Sequence, residues 1–422
     1  MSTPRTDRPR QVTAEELRRR GWRGRLVVLG PAFVAAVAYV DPGNFATNFS
    51  AGAGYGYLLI WVIVVANLMA MLIQSLSAKL GIVTGKNLPE MCREHMPRWG
   101  SRLMWVQAEL VAIATDLAEV IGGAVALHLL FGLPLFVGGL ITGVIAFGLL
   151  GLQSRGHRPF ERAIVFLLAI ILVGLVSTLF RTDVDAGALA AGLVPGFAGI
   201  DSLMLATGIL GATVMPHVIY LHSALTQRRL EPRSMADTRF LLRAGRTDIM
   251  LGMGLAGLVN LSMLIVAAAL FAGTDVPATD TLEGIFAGLA AQLDVVAAYG
   301  FAIALLASGF ASSGVGTYAG QVIMAGFLRR RIPLLLRRLL TLAPALVVLG
   351  VGIDPTQALV LSQVVLSFGI PFALAPLVWL TARRPVMGEL VNHRLTTATA
   401  TAVTAVVVAL NGVLLWQTAT GG

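Results

Sequence analysis

Two apolar segments of this chain are interrupted by proline-containing motifs before either is long enough to cross a membrane. An Asp-Pro-Gly-Asn motif at 41–44 follows the apolar run 26–40, and a Met-Pro-His motif at 215–217 follows a run that begins at Leu203. The two runs have only 15 and 12 residues, whereas a helix needs about 20 to cross the hydrocarbon core. The residues after each motif must therefore complete the span, which places unwound backbone at membrane depth. Such backbone is tolerated only where it lines a buried site or a wet cavity, and paired interrupted helices are typical of transporter binding sites.

The alternative for the first motif is a turn in an exposed loop, which is the commonest use of such a sequence. A turn would end the first helix at Val40 and leave a span of 15 residues. It would also make 45–54 a loop, although this segment contains no charged residue. These lengths favour an interrupted helix.

The composition identifies the class of protein. The mean hydropathy is +0.81, and 13% of the residues are charged, whereas soluble domains have about a quarter. We predict an all-α polytopic membrane protein. Its eleven predicted spans are 26–54, 57–81, 103–131, 133–152, 159–181, 202–227, 247–272, 293–328, 332–352, 356–382 and 395–418.

The Lys and Arg residues fall almost entirely on one side of the predicted membrane, which we name the basic side. With eleven spans, 30 of the 31 Lys and Arg residues lie in the N-terminal tail and in alternate connections, and only Arg181 lies opposite. Cytoplasmic loops carry this excess, so we predict a cytoplasmic N-terminus and an external C-terminus. The net charge of +9 is then a topology signal, and we expect neither nucleic-acid binding nor an obligatory protein partner.

The interrupted spans are the first and the sixth, which divides the chain into two five-helix units and one extra helix. Because five is odd, the second unit enters the membrane from the opposite side, which predicts an inverted repeat with a site between the two units. The predicted segments are a basic cytoplasmic tail, a first repeat, an extracellular loop, a second repeat, and an inner loop with the eleventh helix, at 1–25, 26–181, 182–201, 202–382 and 383–422.

Few other sequence signals point to a function. The first 25 residues hold eight Arg and no apolar core, so we expect a disordered or interfacial tail and not a secretory signal peptide. A single cysteine, Cys92, excludes intrachain disulfides and suits a reducing compartment. No phosphate loop, zinc-protease helix or strand–helix unit with a GxGxxG motif occurs. We therefore expect no enzyme activity, and transport would have to use an ion gradient.

The residues at the interruptions form a set suited to a divalent cation. An interrupted helix frees backbone carbonyls, here around Ala38 and Ala212. With the Asp41 carboxylate and the Asn44 amide oxygen they make a hard, anionic oxygen set. No Lys or Arg lies in either interrupted core, so a bound cation is the natural partner of the buried acid.

Met215 bears on which cation is bound. A thioether is a soft ligand that favours transition metals over Mg²⁺ and Ca²⁺. Methionine in a membrane helix usually only packs against its neighbours. Its position beside an interruption favours the ligand role.

Three acids of the third span lie on one helix face, because spacings of seven and three residues separate Glu109, Asp116 and Glu119. Acids inside a membrane typically line ion pathways or proton relays. The alternative is structural pairing, for which Arg337 and Arg338 on the ninth span are the obvious partners.

Further polar side chains lie in or near apolar spans. His217 and His222 follow the second interruption and can titrate near neutral pH. Gln363 in the tenth span either bonds a neighbouring helix or faces the site. Gln74 and Asn260 are expected to bond neighbouring helices.

At these motifs the sequence resembles the Nramp family of proton-coupled divalent metal transporters. The family's first-helix Asp-Pro-Gly-Asn stands at 41–44, and its sixth-helix Met-Pro-His stands at 215–217 within the segment 211–222. The similarity runs through all eleven spans, including 67–71, 107–110 and 362–367.

The resemblance implies a LeuT-like fold and the uptake of Mn²⁺, Fe²⁺ and related ions together with protons. These ions would be cargo, with no permanently bound cofactor. It implies that the metal is held by Asp41, Asn44, Met215 and the carbonyls of Ala38 and Ala212. Gln363 matches a glutamine that joins the ion as the outer side closes.

The resemblance also assigns a proton pathway. Asp116, Glu119 and His217 match its residues, and Arg337 and Arg338 match basic residues beyond them. To this pathway the sequence itself adds Glu109 and His222. We expect the protein in a bacterial cytoplasmic membrane.

Two other functions stay open. A symporter of amino acids or other organic solutes could use the same fold, but Asp41 and Met215 would oppose a substrate carboxylate. A receptor or channel without coupled transport is the second, and the predicted inverted repeat argues against it.

Overall fold

The computed structural model describes residues 13–154, 157–227, 229–230, 232–274, 280–330 and 333–420, and all regular structure within them is helical. Two short 3-10 turns, Gly56–Leu59 and Gly388–Leu390, accompany the α-helices. In chain order the α-helices are α1 (Ala14–Arg19), α2 (Gly21–Val28), α3 (Pro31–Ala38), α4 (Pro42–Tyr55), α5 (Ile60–Thr84), α6 (Leu88–His95), α7 (Arg98–Phe131), α8 (Leu135–Ser154), α9 (His157–Leu179), α10 (Ala186–Ala191), α11 (Gly199–Thr213), α12 (Pro216–Thr226), α13 (Met235–Phe271), α14 (Leu282–Gln292), α15 (Val295–Leu328), α16 (Leu334–Val351), α17 (Pro355–Thr381), α18 (Arg384–Met387) and α19 (Arg394–Thr420).

Among the described residues, eight helical stretches are long and apolar enough to cross a membrane, or nine if the bent pair α2–α3 counts as one span. One of the eight is Pro42–Thr84, with 43 residues, which is about twice the length that a ~30 Å hydrocarbon core requires. Two shorter apolar segments are Leu135–Leu149 and Leu339–Val351. The structure confirms an all-α protein with many spans, and the count of eleven stays a prediction.

The first interruption lies slightly earlier than the sequence indicated. The gap between α3 and α4 is 39–41, so most of the motif at 41–44 forms the first turn of α4. Asp41 is the N-cap of this helix. Its Oδ1 accepts a hydrogen bond from the Asn44 N–H at 2.8 Å, and Asn44 Oδ1 accepts one from the Asp41 N–H at 3.3 Å. This reciprocal capping box, with a proline in the first helical position, is a normal way to begin a helix.

The second interruption also lies slightly earlier in the chain than the sequence indicated. The gap between α11 and α12 consists of Val214 and Met215, and Pro216 is already the first residue of α12. The motif at 215–217 therefore begins the second half-helix. Proline suits this position because its fixed φ matches that of a helix.

Other helix ends also differ from the predicted spans. Helix α13 begins at Met235, whereas the predicted span began at 247, and α7 begins at Arg98, whereas its predicted span began at 103. The apolar pattern ends where charged residues begin, but a helix can continue through Arg, Leu and Ala, which all favour it. Short helices α6, α10, α14 and α18 lie in connections that the sequence left without structure.

Part of the N-terminal tail is folded. The predicted disordered or interfacial segment covered 1–25, yet α1 and α2 are helical from residue 14 onward. Leu17 is buried in a small apolar cluster with Phe240 of α13, and Arg18 Nε lies 3.0 Å from Asp237 Oδ1. The disordered alternative was wrong for the described part of the tail, because its few apolar side chains find partners on a helix more than 200 positions away.

Glycines allow the interrupted helices to approach their neighbours closely. A Cβ at Gly211 of α11 would lie 1.9 Å from the Gln363 carbonyl oxygen of α17. One at Gly52 of α4 would lie 2.4 Å from the Leu264 carbonyl oxygen of α13. Any larger residue would force these helices apart, so both interrupted helices are fixed against the second half of the chain.

Polar contacts fix the start of α3 against neighbouring helices on the basic side of the first interruption. Asp248 of α13 accepts hydrogen bonds from the N–H groups of Gly30 at 3.0 Å and Ala32 at 2.8 Å. Arg229 forms a close ion pair with Glu161 of α9. Gly30 has a φ of +142°, a conformation that favours glycine, and this geometry lets the bend between α2 and α3 fit against these groups.

Candidate metal site

The Asp41 carboxylate lies in a buried polar network at the first interruption. Asp41 and Asn44 are completely buried. In addition to the capping bonds, Asp41 Oδ2 accepts a hydrogen bond from Gln363 Nε2 of α17 at 3.3 Å. The four half-helices α3, α4, α11 and α12 contain no Lys or Arg, so the partners supplied by these helices are neutral. An unpaired charge at membrane depth is costly, and a cation beside Asp41 would remove that cost.

Side chains from the second half of the chain bond two of the carbonyls that the first gap exposes. Asn260 Nδ2 of α13 donates to the Tyr39 carbonyl oxygen at 2.9 Å. Ser308 Oγ of α15 donates to the Val40 carbonyl oxygen at 2.6 Å. Asn48 Nδ2 of α4 in turn donates to Asn260 Oδ1 at 2.9 Å. Buried backbone groups need such partners, and these bonds satisfy the middle of the gap.

Each interruption also contains a carbonyl whose helical donor a proline has removed. In an α-helix the carbonyl of residue i accepts from the N–H of residue i+4. Pro42 and Pro216 stand four residues after Ala38 and Ala212, and proline has no N–H. Neither alanine carbonyl can complete its helical bond, so both oxygens are available to an ion. The same four-residue spacing between alanine and proline occurs at both interruptions, so both predicted carbonyl ligands lack a helical donor for the same reason.

A third proline shows how the protein satisfies such a carbonyl where no ion site is predicted. Pro371 within α17 removes the helical donor of the Ser367 carbonyl. Asn411 Nδ2 of α19 donates to that oxygen at 3.0 Å, and Asn411 Oδ1 accepts from Ser367 Oγ at 2.7 Å. An amide from the last helix therefore occupies the position that an ion could take at the two interruptions.

Gln363 joins the two interruptions. Its side chain lies against Gly43, where a Cβ would be 1.7 Å from Nε2, and its backbone carbonyl lies against Gly211. Gly211 immediately precedes Ala212, so the two interrupted helices meet at this glutamine. The buried Gln363 Oε1 has no hydrogen-bond partner among the described residues. The amide therefore holds Asp41 through its nitrogen and keeps an oxygen that an ion can use.

Met215 stands at the N-cap of α12 and is completely buried. An N-cap side chain usually accepts a backbone hydrogen bond, and Met215 makes none. Among the described residues, no three His, Cys, Asp or Glu side chains cluster as a metal site. The candidate site thus combines one carboxylate with neutral oxygens and one sulfur. Weak neutral ligands suit an ion that must leave again.

The acidic face of α7 adjoins the second interruption. Thr115 Oγ1 lies 3.2 Å from His217 Nδ1, and the Asp116 carboxylate is close enough to interact electrostatically with the same imidazole. All three residues are buried. Because His217 follows Met215 by two positions, this contact connects the predicted proton residues to the predicted metal site.

The other two acids of α7 have different neighbours. Glu119 is buried against α15, where a Cβ at Gly316 would lie 2.7 Å from its Oε1. Glu109 forms a two-pronged ion pair with Arg337, with N···O distances of 2.9 and 2.7 Å. The predicted alternative of structural pairing is therefore present for Glu109. The Arg338 side chain lies outside the described part of the structure.

A second buried chain of hydrogen bonds reaches the first gap. His222 Nδ1 lies 2.7 Å from Gln74 Oε1, and Gln74 Nε2 donates to the Tyr39 hydroxyl. The expected bonds of Gln74 and Asn260 to neighbouring helices are confirmed. Tyr39 and Ser308 were missed. A tyrosine two positions before Asp41 was the one available signal, whereas a serine among small and apolar residues gives none.

Nearly the whole chain matches one protein-family model. The family model described as "Natural resistance-associated macrophage protein-like" matches residues 32–417. The chain belongs to the Nramp family. The matched range contains both interruptions and every predicted site residue.

Relatives of this Nramp chain share most of its length. It is 54% identical over 399 residues to the divalent metal cation transporter MntH of Deinococcus radiodurans, covering 94% of this chain and 91% of that protein. It is 50% identical over 400 residues to the protein of the same name from Bacillus subtilis, covering 94% of each.

Solved structures agree with the Nramp assignment. A crystal structure of a mutant of the Eremococcus coleocola manganese transporter has a TM-score of 0.83 at 34% identity, covering 92% of this chain and 86% of that one. Mhp1, a transporter of the nucleobase-cation-symport-1 family, has a TM-score of 0.60 at 15% identity, covering 92% and 91%. The latter likeness concerns the fold alone. This multi-pass Nramp protein therefore has the LeuT-like fold that the resemblance implied.

Replacing the proline at each interruption by alanine tests the freed carbonyls. Pro42→Ala or Pro216→Ala returns an N–H four residues after Ala38 or Ala212, which lets the interruption rewind into a continuous helix whose restored bond competes with the ion. We expect the Kd for Mn²⁺ to rise roughly two- to tenfold, the equivalent of one hydrogen bond worth about 0.5–1.5 kcal/mol. The measurement is calorimetric titration of the purified protein with Mn²⁺.

Pro371→Ala is the matched control, because it restores a donor to the Ser367 carbonyl, which Asn411 already satisfies. Its Kd should equal that of the wild type. If Pro42→Ala and Pro216→Ala both bind Mn²⁺ as tightly as the wild type, the alanine carbonyls are not ligands.

Proposed function

We propose that this protein is a proton-coupled secondary transporter that imports Mn²⁺, Fe²⁺ and related divalent transition metal ions across the bacterial cytoplasmic membrane by alternating access. The observation that carries the proposal is the buried Asp41 carboxylate at an interrupted helix, beside a carbonyl that a proline has freed. The names of the relatives, a divalent metal cation transporter and a manganese transporter, support the substrate class. The metal is cargo, and the proposal includes no permanently bound cofactor.

The donor set supports selectivity for transition metals. The Asp41 carboxylate, the Asn44 amide and two carbonyls supply hard oxygens, and the Met215 thioether adds a soft donor that Mg²⁺ and Ca²⁺ use poorly. Gln363 can offer its Oε1 only after its Nε2 releases Asp41, since one amide cannot face the same point with both atoms. Arrival of the ion is thus linked to the contact between α4 and α17.

The positive charge of the metal ion gives a reason for coupling metal uptake to proton transfer. A divalent ion brings two positive charges to a site with a single carboxylate, so a surplus positive charge remains. This surplus disfavours a proton on nearby groups, and His217 places such a group beside Met215 with Asp116 next to it. Metal entry would therefore push a proton toward the acids of α7.

Access to the site has to alternate because the predicted ligands are buried. On the basic side, the Asp248 bonds to the start of α3 and the Arg229–Glu161 pair would have to break before an ion could leave. Half-helices that end in a gap can pivot with few changes of backbone dihedral angles. The excess of Lys and Arg on this side supports its assignment to the cytoplasm.

Asp41→Asn removes the formal charge and little else, because asparagine caps a helix as well as aspartate does. We expect Mn²⁺ uptake into proteoliposomes at subsaturating concentration to fall at least about tenfold, a loss of 1.4 kcal/mol or more. Asp354→Asn is the control, since Asp354 is also an N-cap followed by proline, at the start of α17, and its uptake should stay unchanged. Wild-type uptake by Asp41→Asn would contradict the assignment, and concentrative uptake of an organic solute instead of metal would favour the alternative symporter.

Met215→Ala should change selectivity more than it changes affinity. The remaining oxygen ligands suit hard ions, so we expect residual Mn²⁺ uptake, loss of the preference for Cd²⁺, and competition by Ca²⁺. Competition uptake assays measure all three. Met253→Ala is the control, because Met253 is equally buried but lies within α13. Continued exclusion of Ca²⁺ together with intact Cd²⁺ uptake would mean that the sulfur only packs.

Asp116→Asn and Glu119→Gln should weaken metal-stimulated proton entry while leaving metal binding nearly intact. The reason is that both acids lie on α7 and neither belongs to an interruption. Internal acidification and metal uptake are recorded in the same proteoliposomes. The control is Asp201→Asn, because Asp201 is an exposed acid at the start of α11. Unchanged proton entry in both variants would exclude the relay, and a binding loss as large as that of Asp41→Asn would make these acids ligands.

A further inference from the structure

A cavity of about 490 Å³ opens between the basic-side ends of α5 and α13 and the chain just before α19. Its polar lining includes Lys79, Arg246, Asn392 and His393, together with one acid, Glu389. None of these residues belongs to the candidate metal site or to the predicted proton pathway. The cavity is therefore separate from both of these sites.

Two strong cations, Lys79 and Arg246, line the same cavity. Lys79 Nζ donates to Asn392 Oδ1 at 2.8 Å, which is a neutral partner. Arg246 lies close enough for its charge to act on Lys79. Among the described residues, neither Lys79 nor Arg246 forms an ion pair. Two like charges that line one cavity repel each other, and an anion between them would relieve the repulsion.

The position of Lys79 is fixed by the loop before α19. Asn392 Nδ2 donates to Thr381 Oγ1 at 2.8 Å, and the Asn392 N–H donates to the Thr381 carbonyl at 3.1 Å. The amide that holds the Lys79 ammonium is thereby anchored to the end of α17. A cation held in place in this way loses little freedom when it binds an anion.

The cavity continues into an apolar surface that faces outward. Leu72 of α5 and Leu242 of α13 are part of its lining. Farther from the basic side on the same helix faces, Leu68 is 60% exposed and Met250 is 67% exposed. Met250 lies one turn from Arg246 on α13. Cationic groups nearer the basic side and exposed aliphatic side chains farther from it occur in the order of the headgroup and chains of a phospholipid.

We propose that this cavity binds the phosphate group of an anionic phospholipid of the cytoplasmic leaflet. Lys79 and Arg246 contact the phosphate, and the acyl chains follow Leu68 and Leu72 along α5. Basic pockets between spans on the cytoplasmic side are suited to such headgroups. The volume is in the range of sites for small organic molecules, so free inorganic phosphate would leave most of the cavity and the whole apolar wall unused.

Native mass spectrometry of the detergent-purified protein, titrated with phosphatidylglycerol or phosphatidylcholine, tests this proposal. The wild type should retain phosphatidylglycerol in preference to phosphatidylcholine. Lys79→Gln with Arg246→Gln should weaken phosphatidylglycerol binding about fivefold for each charge removed, the equivalent of ~1 kcal/mol each. Arg246→Lys, which keeps the charge, should retain most of the binding.

Arg243→Gln is the matched control, because this exposed arginine lies one turn earlier on α13 and outside the cavity lining. It should bind phosphatidylglycerol like the wild type. Arg246→Gln alone, which changes an exposed side chain, keeps the test valid if the double variant does not fold, with the expected loss then about fivefold.

Equal binding of phosphatidylglycerol by the wild type and the double variant would overturn the proposal. So would equal binding of the two lipids by the wild type. A separate arm adds inorganic phosphate at millimolar concentration and records the melting temperature. If phosphate stabilises the wild type but not the double variant, and the wild type shows no preference between the lipids, the ligand is a free anion and not a lipid.

Discussion

A backbone carbonyl in the apolar interior of a membrane must find a donor or a cation, because leaving it unpaired costs several kcal/mol. The surroundings of both interruptions follow from this requirement. Asn260 and Ser308 supply donors to the middle of the first gap. The carbonyls of Ala38 and Ala212 lose their donors to prolines four residues later, which leaves them for an ion. The proposed metal site thus uses carbonyls that this hydrogen-bond network leaves unpaired.

This arrangement requires the two halves of the chain to be held close together. Gly211 brings α11 onto the backbone of α17, and Gly43 makes room for the Gln363 side chain beside Asp41. The same glutamine therefore contacts both interrupted helices and bonds the carboxylate. Packing and ligand geometry depend on each other here, so a change in how α17 sits would alter the site directly.

The sequence predicted what depends on local composition, and it missed what depends on distant partners. The all-α class and both interruptions follow from hydropathy and span length. The gaps were placed slightly late because the motif at 41–44 was interpreted as the break, although an Asp followed by Pro and Asn is also a capping signal. The bond between Asn260 and Tyr39 and the packing of Leu17 on α13 join residues more than 200 positions apart. No periodic pattern in one segment records such pairs.

The most direct test of this account is anomalous diffraction from crystals of the protein grown with Mn²⁺, recorded near the manganese absorption edge. The account predicts one strong anomalous peak, with oxygen ligands at about 2.1–2.4 Å, between the distances typical of Mg²⁺ and Ca²⁺. The predicted ligands are the Asp41 carboxylate, the Asn44 amide, the carbonyls of Ala38 and Ala212, and the more distant sulfur of Met215. A peak beside the acids of α7, or one with both alanine carbonyls beyond ligand distance, would contradict it.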